Sequence, residues 1–405
     1  MKDGMDPSAV SRKMRAFMEG GSWIRKMFEE GARLKARHGA DAVCDFSLGN
    51  PDLSPPEAFT RSLWRACGEE APLAHGYMPN AGYGEVRERV ARHAAVEQGV
   101  PLGADDVLMT CGAAGGLNVV FKAILDPGDE VVVPAPYFVE YRYYVDNHGG
   151  VLVPVPSRPD FGLDLAAIEA AVGPRTRAVL LNSPNNPTGV IYDAESLAEL
   201  AGLLRRVSAR RGRPVYLVAD EPYRRLAFSG HRVPPFLALY PDSLVATSFS
   251  KDLSVPGERI GYVAVNPAAA GRGELLGALT LANRILGYVN APALMQRAVA
   301  ACLDACVDVG VYERRRDRLA AVLEAAGYEF QLPMGTFYFF PKTPIPDDRA
   351  FVRLLQEERI LAVPGSGFGA PGYMRVAFCV ADEVIDRAAE GFRRARERAL
   401  AGAAA

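Results

Sequence analysis

One lysine between two hydroxyl groups is the clearest candidate in this sequence for a residue that takes part in a reaction. The segment SFSKDLSVPGERIG, residues 248–261, places Lys251 between Ser248 and Ser250, with Arg259 further along. A lysine amine takes part in covalent chemistry when it forms a Schiff base with a carbonyl compound. Hydroxyl groups and a guanidinium suit a phosphate monoester. The pattern favours a pyridoxal-phosphate site, and a solvated strand-to-loop segment with ordinary surface charges is the alternative.

A run of small residues further upstream predicts a second phosphate contact. The segment VLMTCGAAGGLNVVFKAIL, residues 107–125, reads as a short apolar strand ending at Thr110 and a helix that opens with Gly112, Ala113 and Ala114. A helix start with little side-chain bulk presents free N–H groups and the positive end of the helix dipole. Small residues also allow close helix–sheet packing, and the run does not match the dinucleotide-binding glycine pattern.

Three polar residues follow predicted strands in the middle of the chain. Asn186 lies in SPNNPTG, Asp220 ends VYLVAD, and Lys251 follows SLVATSFS. Continuous apolar strands that alternate with helices predict a mostly parallel sheet buried on both faces. Ligands of such sheets bind beyond the carboxyl ends of the strands. Taken alone, Asp220 also fits a helix cap or a surface acid, and NNPTG also fits a plain turn.

The length predicts more than one domain. A chain of 405 residues exceeds what one simple core accommodates. We expect residues 1–48 to form an N-terminal arm and part of a small domain, residues 49–300 a large cofactor-binding domain, and residues 301–405 a C-terminal small domain of α+β type. The amphipathic arm fits against its own domain, a partner subunit or the mouth of a site.

The composition excludes several classes of protein. A net charge of -2, with 49% hydrophobic and 23% charged residues, is typical of a globular protein and indicates no nucleic acid or anionic membrane as partner. No segment has the apolar length of a membrane helix or of a signal peptide. The six cysteines and five histidines lack metal-ligand spacing, so no metal is expected. A cytoplasmic location follows as the expectation.

Five segments together resemble one enzyme family. The segments TCGAAGGLN, SPNNPTG, ADEPY, SFSKDLSVPGERIGY and MRVAF occur in the order found in the class I/II aminotransferases of fold type I, the pyridoxal-phosphate enzymes of the aspartate-aminotransferase-like group. The resemblance covers nearly the whole chain. It implies an α/β fold, with a mostly parallel, helix-flanked sheet of the seven-stranded type and a smaller α+β domain. It also implies ping-pong transfer of an amino group between an α-amino acid and a 2-oxo acid.

The resemblance assigns catalytic roles to three residues. Lys251 resembles the Schiff-base lysine, which also acts as general acid and base. Asp220 corresponds to the aspartate that pairs with the pyridine nitrogen of pyridoxal 5'-phosphate. Tyr223 corresponds, with Asn186, to the residues that hydrogen-bond the 3′-oxygen of the ring.

Further contacts to the cofactor are implied in the same way. Tyr137 in APYFVEY corresponds to the aromatic residue that stacks on the ring. Tyr77 resembles the tyrosine that reaches the phosphate in the neighbouring subunit, which implies a homodimer with shared sites. The phosphate cradle is expected from the N–H groups of the helix start, two hydroxyl groups and a guanidinium: Ala113, Ala114, Ser248, Ser250 and Arg259.

The substrate is only partly defined. Arg375 in MRVAF corresponds to the arginine that binds the α-carboxylate, with Asn186 and the Gly49 backbone assisting. Ala114 stands where some aspartate-specific relatives have a lysine. Two spare arginines fit a second carboxylate and five aromatic residues fit an apolar pocket, namely Arg142, Arg284, Tyr141, Tyr143, Tyr144, Phe337 and Tyr338. Aspartate, alanine, aromatic and branched substrates all stay open.

Two other functions stay open as well. The same cofactor supports β-elimination, decarboxylation or oxidation of an amino acid. A ligand-sensing protein without catalysis is the other alternative. No helix-turn-helix segment precedes the fold, and Lys251, Asp220 and Arg375 are all present, so the enzyme is the favoured interpretation.

Overall fold

The computed structural model describes residues 9–19 and 23–403, and the rest of the predicted arm lies outside these ranges. The strands are β1 Cys44–Asp45, β2 Val107–Thr110, β3 Glu130–Pro134, β4 Val151–Val155, β5 Thr176–Asn182, β6 Tyr216–Asp220, β7 Ser243–Ser248, β8 Gly261–Val265, β9 Tyr338–Phe339, β10 Ile360–Leu361, β11 Val363–Pro364 and β12 Met374–Ala377.

The helices surround these strands. They are α1 Arg12–Glu19, α2 Trp23–His38, α3 Glu57–Cys67, α4 Gly84–Gln98, α5 Gly112–Ile124, α6 Tyr141–Asp146, α7 Leu165–Ala171, α8 Ala194–Arg211, α9 Phe236–Leu239, α10 Arg272–Ile285, α11 Ala293–Ala300, α12 Val309–Ala325, α13 Asp348–Glu357 and α14 Asp382–Ala403.

A seven-stranded sheet forms the centre of the molecule, in the order β2-β8-β7-β6-β5-β3-β4. The pairs from β4 across to β7 are parallel, and β8 runs antiparallel to both of its neighbours. This architecture confirms the predicted fold class: an α/β fold with a mostly parallel, helix-flanked sheet.

Both faces of the sheet are buried because its strands are apolar at successive positions. On β5, Leu180 packs with β6 Val218 in one core, while Val179 packs with Leu217 in the other. All four side chains are fully buried. Continuous apolar runs are typical of strands that are covered by helices on both faces. Cys302 is likewise buried in the larger core.

Smaller sheets bring an N-terminal segment of the chain next to C-terminal segments. Strand β1 pairs in parallel with β10, and β12 lies between β11 and β9 in an antiparallel sheet. Segment 44–45 therefore lies beside segment 360–361, although the two are far apart in the sequence. The domain boundaries at residues 48 and 300 stay predictions.

Register places the carboxyl ends of the central strands at one edge. Asn182 pairs with Asp220, and Asp220 pairs with Ala246 on β7. Because β8 is antiparallel, its first residue, Gly261, pairs with Ser248 on β7 at that same edge. The chain just before β8 therefore lies at the edge where the parallel strands end.

The part of the chain that the structure describes contains no helix suited to a membrane and no group of side chains suited to a metal ion. Among the helices at 9–19 and 23–403, none combines the length and the apolar character needed to cross a membrane. The same residues contain no group of three histidine, cysteine or acidic side chains arranged to hold a metal ion.

Candidate active site

A cavity of about 250 Å³ lies at the carboxyl edge of the central sheet. It brings together eleven of the thirteen residues that the sequence singled out for the site. Those eleven are Gly49, Ala113, Ala114, Asn186, Asp220, Tyr223, Ser248, Ser250, Lys251, Arg259 and Arg375. The wall also includes Leu117, Phe138, Tyr141, Tyr144, Asn182, Pro222, Pro256 and Tyr338.

Lys251 follows β7 and reaches into the cavity. Its Nζ donates a hydrogen bond to the carbonyl oxygen of Gly49 at 2.9 Å and lies 5.4 Å from the centre of the Phe337 ring. Burial lowers the pKa of this amine to about 8, and the charges of Arg259 and Arg375 act in the same direction. A lower pKa leaves more of the amine in the neutral, nucleophilic form near neutral pH.

Asp220 presents one occupied and one free carboxylate oxygen. The hydroxyl of Tyr141 donates to Oδ2 at 2.5 Å. The second oxygen, Oδ1, is buried and has no hydrogen-bond partner among the described residues. Burial raises the pKa of Asp220 to about 7, while the bond from Tyr141 acts against that rise. A buried acceptor without a partner fits a ligand that brings an N–H group.

Arg375 is a buried guanidinium between two aromatic rings. It is 2% exposed, and its carbon lies 4.4 Å from the centre of the Tyr338 ring and 4.9 Å from that of Phe368. Its NH1 donates to Asn186 Oδ1 at 3.1 Å and its NH2 to the Ser47 carbonyl at 2.8 Å. Its Nε has no partner in the described chain. A buried cation with a spare donor fits a carboxylate ligand.

Asn182 positions Asn186. Its Nδ2 donates to the carbonyl oxygen of Asp220 at 2.8 Å, and its Oδ1 accepts from the main-chain N–H of Asn186 at 2.6 Å. Asn182 was not among the site residues predicted from the sequence. A polar residue that closes a buried strand was the available signal for it.

Two tyrosines and a glycine form the wall next to Lys251. The hydroxyl groups of Tyr223 and Tyr338 are 3.1 Å apart. A Cβ atom on Gly49 would overlap the Tyr338 hydroxyl. Glycine is therefore required at residue 49 for the chain to pass this close to the ring.

At one end of the cavity, the start of a helix lies beside a cation. Gly112, the first residue of α5, has φ +71°, and a Cβ there would lie 2.9 Å from NH2 of Arg259. Arg259 itself adopts the left-handed region, with φ +48°. The same cavity is lined by the start of the 13-residue helix α5, by Arg259 and by the two serines Ser248 and Ser250. This donor set suits a phosphate.

Tyr137 lies away from the cavity, and Phe138 lines it instead. The main-chain N–H of Tyr137 donates to the carbonyl of Phe368 at 3.1 Å, and its ring packs beside Gly369. The segment connects β3 to α6 and has no strand alternation, so the sequence could not tell which of two adjacent aromatic rings faces inward. Phe138 was in the same motif and was missed.

Tyr77 is 92% exposed and does not line the cavity of its own chain. The spare arginines Arg142 and Arg284 are also exposed and lie outside the cavity wall. Among the five candidate aromatic residues, Tyr141, Tyr144 and Tyr338 line the cavity. Phe337 is buried beside Lys251, and Tyr143 packs elsewhere.

The N-terminal helix lies on the helix that carries Tyr141. The rings of Phe17 on α1 and Tyr143 on α6 pack edge to face, with their centres 4.9 Å apart. Lys13 forms an ion pair with Asp146 at 2.5 Å. Of the three sites that the sequence allowed for the arm, α1 therefore contacts its own chain near the cavity.

Comparisons with known proteins agree on one family. The sequence model described as aminotransferase class I and II matches residues 41–392. An aspartate/prephenate aminotransferase of Thermus thermophilus is 36% identical over 380 residues, which is 90% of this chain and 93% of that protein. The crystal structure of an amino transferase from Eubacterium rectale has a TM-score of 0.93 at 37% identity, over 96% of this chain and 99% of that one. An aspartate aminotransferase from Thermus thermophilus with maleate has a TM-score of 0.84 at 31% identity, over 96% of this chain and 100% of that one.

Proposed function

Because this chain belongs to the class I and II aminotransferase family, we propose that the cavity at the sheet edge is its active site, with Lys251 at the centre. The protein is a pyridoxal-phosphate-dependent transaminase. The bound cofactor supplies an aldehyde that accepts the amino group and a ring that takes up the electron pair from the substrate α-carbon. One observation carries the assignment: the amine of Lys251, a buried carboxylate oxygen and a buried guanidinium N–H converge in one cavity, and the last two have no hydrogen-bond partner among the described residues.

Lys251 holds the cofactor aldehyde and moves protons at its Nζ. Its pKa of about 8 supports both roles, because a general base works best when its pKa lies near the working pH. The Gly49 carbonyl, 2.9 Å away, orients the amine towards the cavity. The rings of Phe337 and Tyr223 limit the access of water to it.

Asp220 holds the ring nitrogen in its protonated form through Oδ1. Tyr141 occupies the other oxygen, so the carboxylate has one direction left in which to accept a hydrogen bond. Tyr223 and Asn186 are proposed to bond the 3′-oxygen, and Phe138 replaces Tyr137 as the ring that stacks on the cofactor. Ala113, Ala114, Ser248, Ser250 and Arg259 are proposed to bind its phosphate.

Arg375 binds the substrate α-carboxylate, assisted by Asn186 and Gly49. The stacking of its guanidinium on the Tyr338 ring fixes the plane of the guanidinium. NH1 and NH2 each make one hydrogen bond within the described chain and Nε makes none, so Nε and a neighbouring N–H can both donate to the ligand. A planar, doubly donating cation suits a carboxylate better than an ammonium does.

The substrate side chain is proposed to be uncharged. The cations that line the cavity are Lys251, Arg259 and Arg375 among the described residues, and each already has a proposed task. Ala114 adds no charge, and the remaining wall is rich in rings, including Phe138, Tyr144 and Tyr338. A dicarboxylic amino acid is the second candidate, because several relatives at 30–36% identity are named for aspartate.

Visible absorption of the cofactor-loaded protein tests this choice. We expect alanine, leucine or phenylalanine to convert the cofactor to its amine form at lower concentrations than aspartate does, and a 2-oxo acid to reverse the change. Maleate should bind no more tightly than a monocarboxylate of similar size. A preference for aspartate of about tenfold or more in kcat/KM would favour the second candidate, and repeated turnover of the amino acid in the absence of any oxo-acid acceptor would favour elimination or decarboxylation.

A homodimer is also proposed. Trp64, Leu73 and Tyr77 are 76%, 84% and 92% exposed in the single chain. Exposed apolar side chains that cluster along a chain are typical of surfaces that bind another protein. Tyr77 would then reach the cofactor phosphate of the partner subunit. The cytoplasmic location stays a prediction, supported by six cysteines that form no disulfide.

A further inference from the structure

A second polar cluster lies behind the active-site cavity. We call it the rear cluster; it consists of His93, Glu97, Glu221, Arg224, Arg225 and Asp252 around a void of about 20 Å³. Pro222 and Ser248 line both the void and the cavity. The wall between the two is therefore formed by the same short segments that carry Asp220 and Lys251.

Two acidic residues of the rear cluster directly follow the proposed catalytic residues. Glu221 comes after Asp220, and Asp252 comes after Lys251. Asp220 and Lys251 line the cavity, whereas Glu221 and Asp252 line the rear void. Glu221 is 1% exposed and Asp252 is 7% exposed, so both carboxylates need a partner inside the protein.

Arg225 is the cation nearest to Asp252. Its NH1 lies 3.5 Å from Asp252 Oδ2. The same guanidinium donates to three main-chain carbonyl groups, those of Leu303 at 2.9 Å, Asp304 at 2.7 Å and Ala305 at 2.7 Å. One side chain thus places three donors on a single turn of chain and lies beside the Asp252 carboxylate.

The turn held by Arg225 also contacts the lysine segment directly. The main-chain N–H of Val307 donates to the carbonyl oxygen of Asp252 at 2.7 Å. Residues 303–307 connect α11 to α12, and α12 is part of the predicted small domain. Asp252, the residue after Lys251, is therefore held to this connection in two ways: its carboxylate through Arg225 and its carbonyl through Val307.

Arg224 makes an equivalent set of contacts on the other side of the rear cluster. It pairs with Glu221 at 2.6 Å and donates to the carbonyl groups of Glu97 at 2.7 Å and Val233 at 3.0 Å. Gln98 also donates to Glu221 at 2.7 Å. Neighbouring arginines thus each join one buried acid to distant segments of main chain.

We propose that Arg225 is a positioning residue for Lys251, which acts by holding Asp252 against the turn at residues 303–305. Arg225 does not line the active-site cavity, so it touches neither cofactor nor substrate. The proposal rests on the proposed role of Lys251. Its physical basis is that a displacement of a reacting group by about 1 Å can lower a rate about a hundredfold, while the binding of substrate elsewhere is unchanged.

A structural role alone would give different results from positioning. If Arg225 only stabilised the fold, its loss would lower the melting temperature of the loaded enzyme and leave kcat unchanged. If it positions Lys251, its loss lowers kcat and speeds the release of cofactor. KM for the amino acid should stay within about twofold, because Arg375 and Asn186 are untouched.

The test compares Arg225→Gln and Asp252→Asn with Arg232→Gln, an exposed arginine a few residues along the chain. Both cluster variants should lower kcat about tenfold or more and speed cofactor dissociation to a similar extent. Arg232→Gln should change neither. Arg225→Lys, which keeps the charge but loses the planar fork, should fall between wild type and Arg225→Gln.

The double variant decides whether the two residues act together. Arg225→Gln combined with Asp252→Asn should be no slower than the worse single variant, because both substitutions remove the same interaction and their effects therefore do not add. Multiplied effects in the double variant, or an unchanged kcat and cofactor release rate in both single variants, would overturn the proposal. Asp252→Asn changes little volume, so it serves if Arg225→Gln does not fold. A Lys251→Ala variant that still bound and turned over would instead refute the proposed function.

Discussion

Burial shifts the pKa values of Lys251 and Asp220 in opposite directions. It lowers the pKa of the amine to about 8 and raises that of the carboxyl to about 7, because a buried site disfavours the charged form of each. The amine thereby becomes a better nucleophile. The carboxylate, by contrast, needs hydrogen-bond donors to stay ionised, and Tyr141 provides the one that the chain itself supplies.

Tyr141→Phe should weaken cofactor binding about tenfold. The substitution removes the hydroxyl from Oδ2 of Asp220, and a hydrogen bond to a charged group contributes about 1.5–3 kcal/mol. The pKa of Asp220 should rise further, which disfavours the ionised state that holds a protonated ring nitrogen. Equilibrium titration of the cofactor measures the effect.

Tyr143→Phe is the matched control for that experiment. Tyr143 lies on the same helix but packs against Phe17 on α1 and outside the cavity wall. Its hydroxyl can be removed without touching Asp220. Equal cofactor affinity for Tyr141→Phe and Tyr143→Phe would show that the short hydrogen bond has no role in binding.

Asp220→Asn should stabilise the cofactor-free protein at neutral and higher pH. The pKa of Asp220 is raised from 3.8 to about 7, so the folded state holds a proton that the unfolded state releases. Wild-type stability is therefore lost as the pH rises from about 4 to about 7, by an amount on the order of a few kcal/mol. Urea unfolding of both proteins across this range measures it, and a difference that is independent of pH would contradict the assignment.

Strand ends explain most of what the sequence could predict about the site. Asn182, Asp220 and Ser248 end neighbouring strands, and parallel pairing brings them to one edge without any further information. Apolar runs and polar ends were sufficient to locate Asn186 and Lys251 in the turns that follow. These parts of the site depend on local pattern and on sheet geometry.

The rest of the site depends on packing that no local pattern encodes. Phe138 and Tyr141 lie in a connection and on a six-residue helix, where periodicity does not define an inward face. The hydrogen-bond partners of Arg375 come from distant segments, namely the Ser47 carbonyl and the Asn186 side chain. The rear cluster was missed for the same reason, because Arg225 meets residues 303–305 only in the folded chain.

Gly49→Ala should raise KM for the amino acid about tenfold or more. The new methyl group would overlap the Tyr338 hydroxyl and push away the ring on which Arg375 stacks. Steady-state kinetics of the loaded enzyme measures the effect.

Gly84→Ala is the control for that substitution, since a Cβ at residue 84 meets nothing within 4 Å. It should behave like wild type in the same assay. An unchanged KM in Gly49→Ala would mean that the turn at Gly49 moves aside and does not define the carboxylate site.

The proposed homodimer predicts that the complete site needs a second copy of the chain. Leu73→Glu should weaken the dimer, because it places a charge at a residue that is 84% exposed in the single chain and comes four residues before Tyr77 in the sequence. Val96→Glu is the control, at a residue that is 86% exposed on α4. Sedimentation and cofactor occupancy at micromolar protein concentrations should fall together in the first variant and stay unchanged in the second. A monomeric wild type with full occupancy would refute the shared site.

The pairing of β1 with the distant strand β10 was the least predictable feature of the whole molecule. The sequence indicated a smaller α+β region at residues 301–405, but not that β1 pairs with β10. Strands of two residues carry too little pattern to predict their partners. Their pairing matters because it places Ser47 and Gly49 beside Arg375 and Lys251.

Covalent trapping of the cofactor shows which lysine carries it. Reduction of the loaded enzyme with borohydride fixes the bond between lysine and cofactor, and mass spectrometry of the resulting peptides locates it. The added mass is expected on Lys251 and should be absent in Lys251→Ala. Cofactor mass on another lysine, such as Lys122 or Lys342, or a loaded and active Lys251→Ala variant, would contradict it.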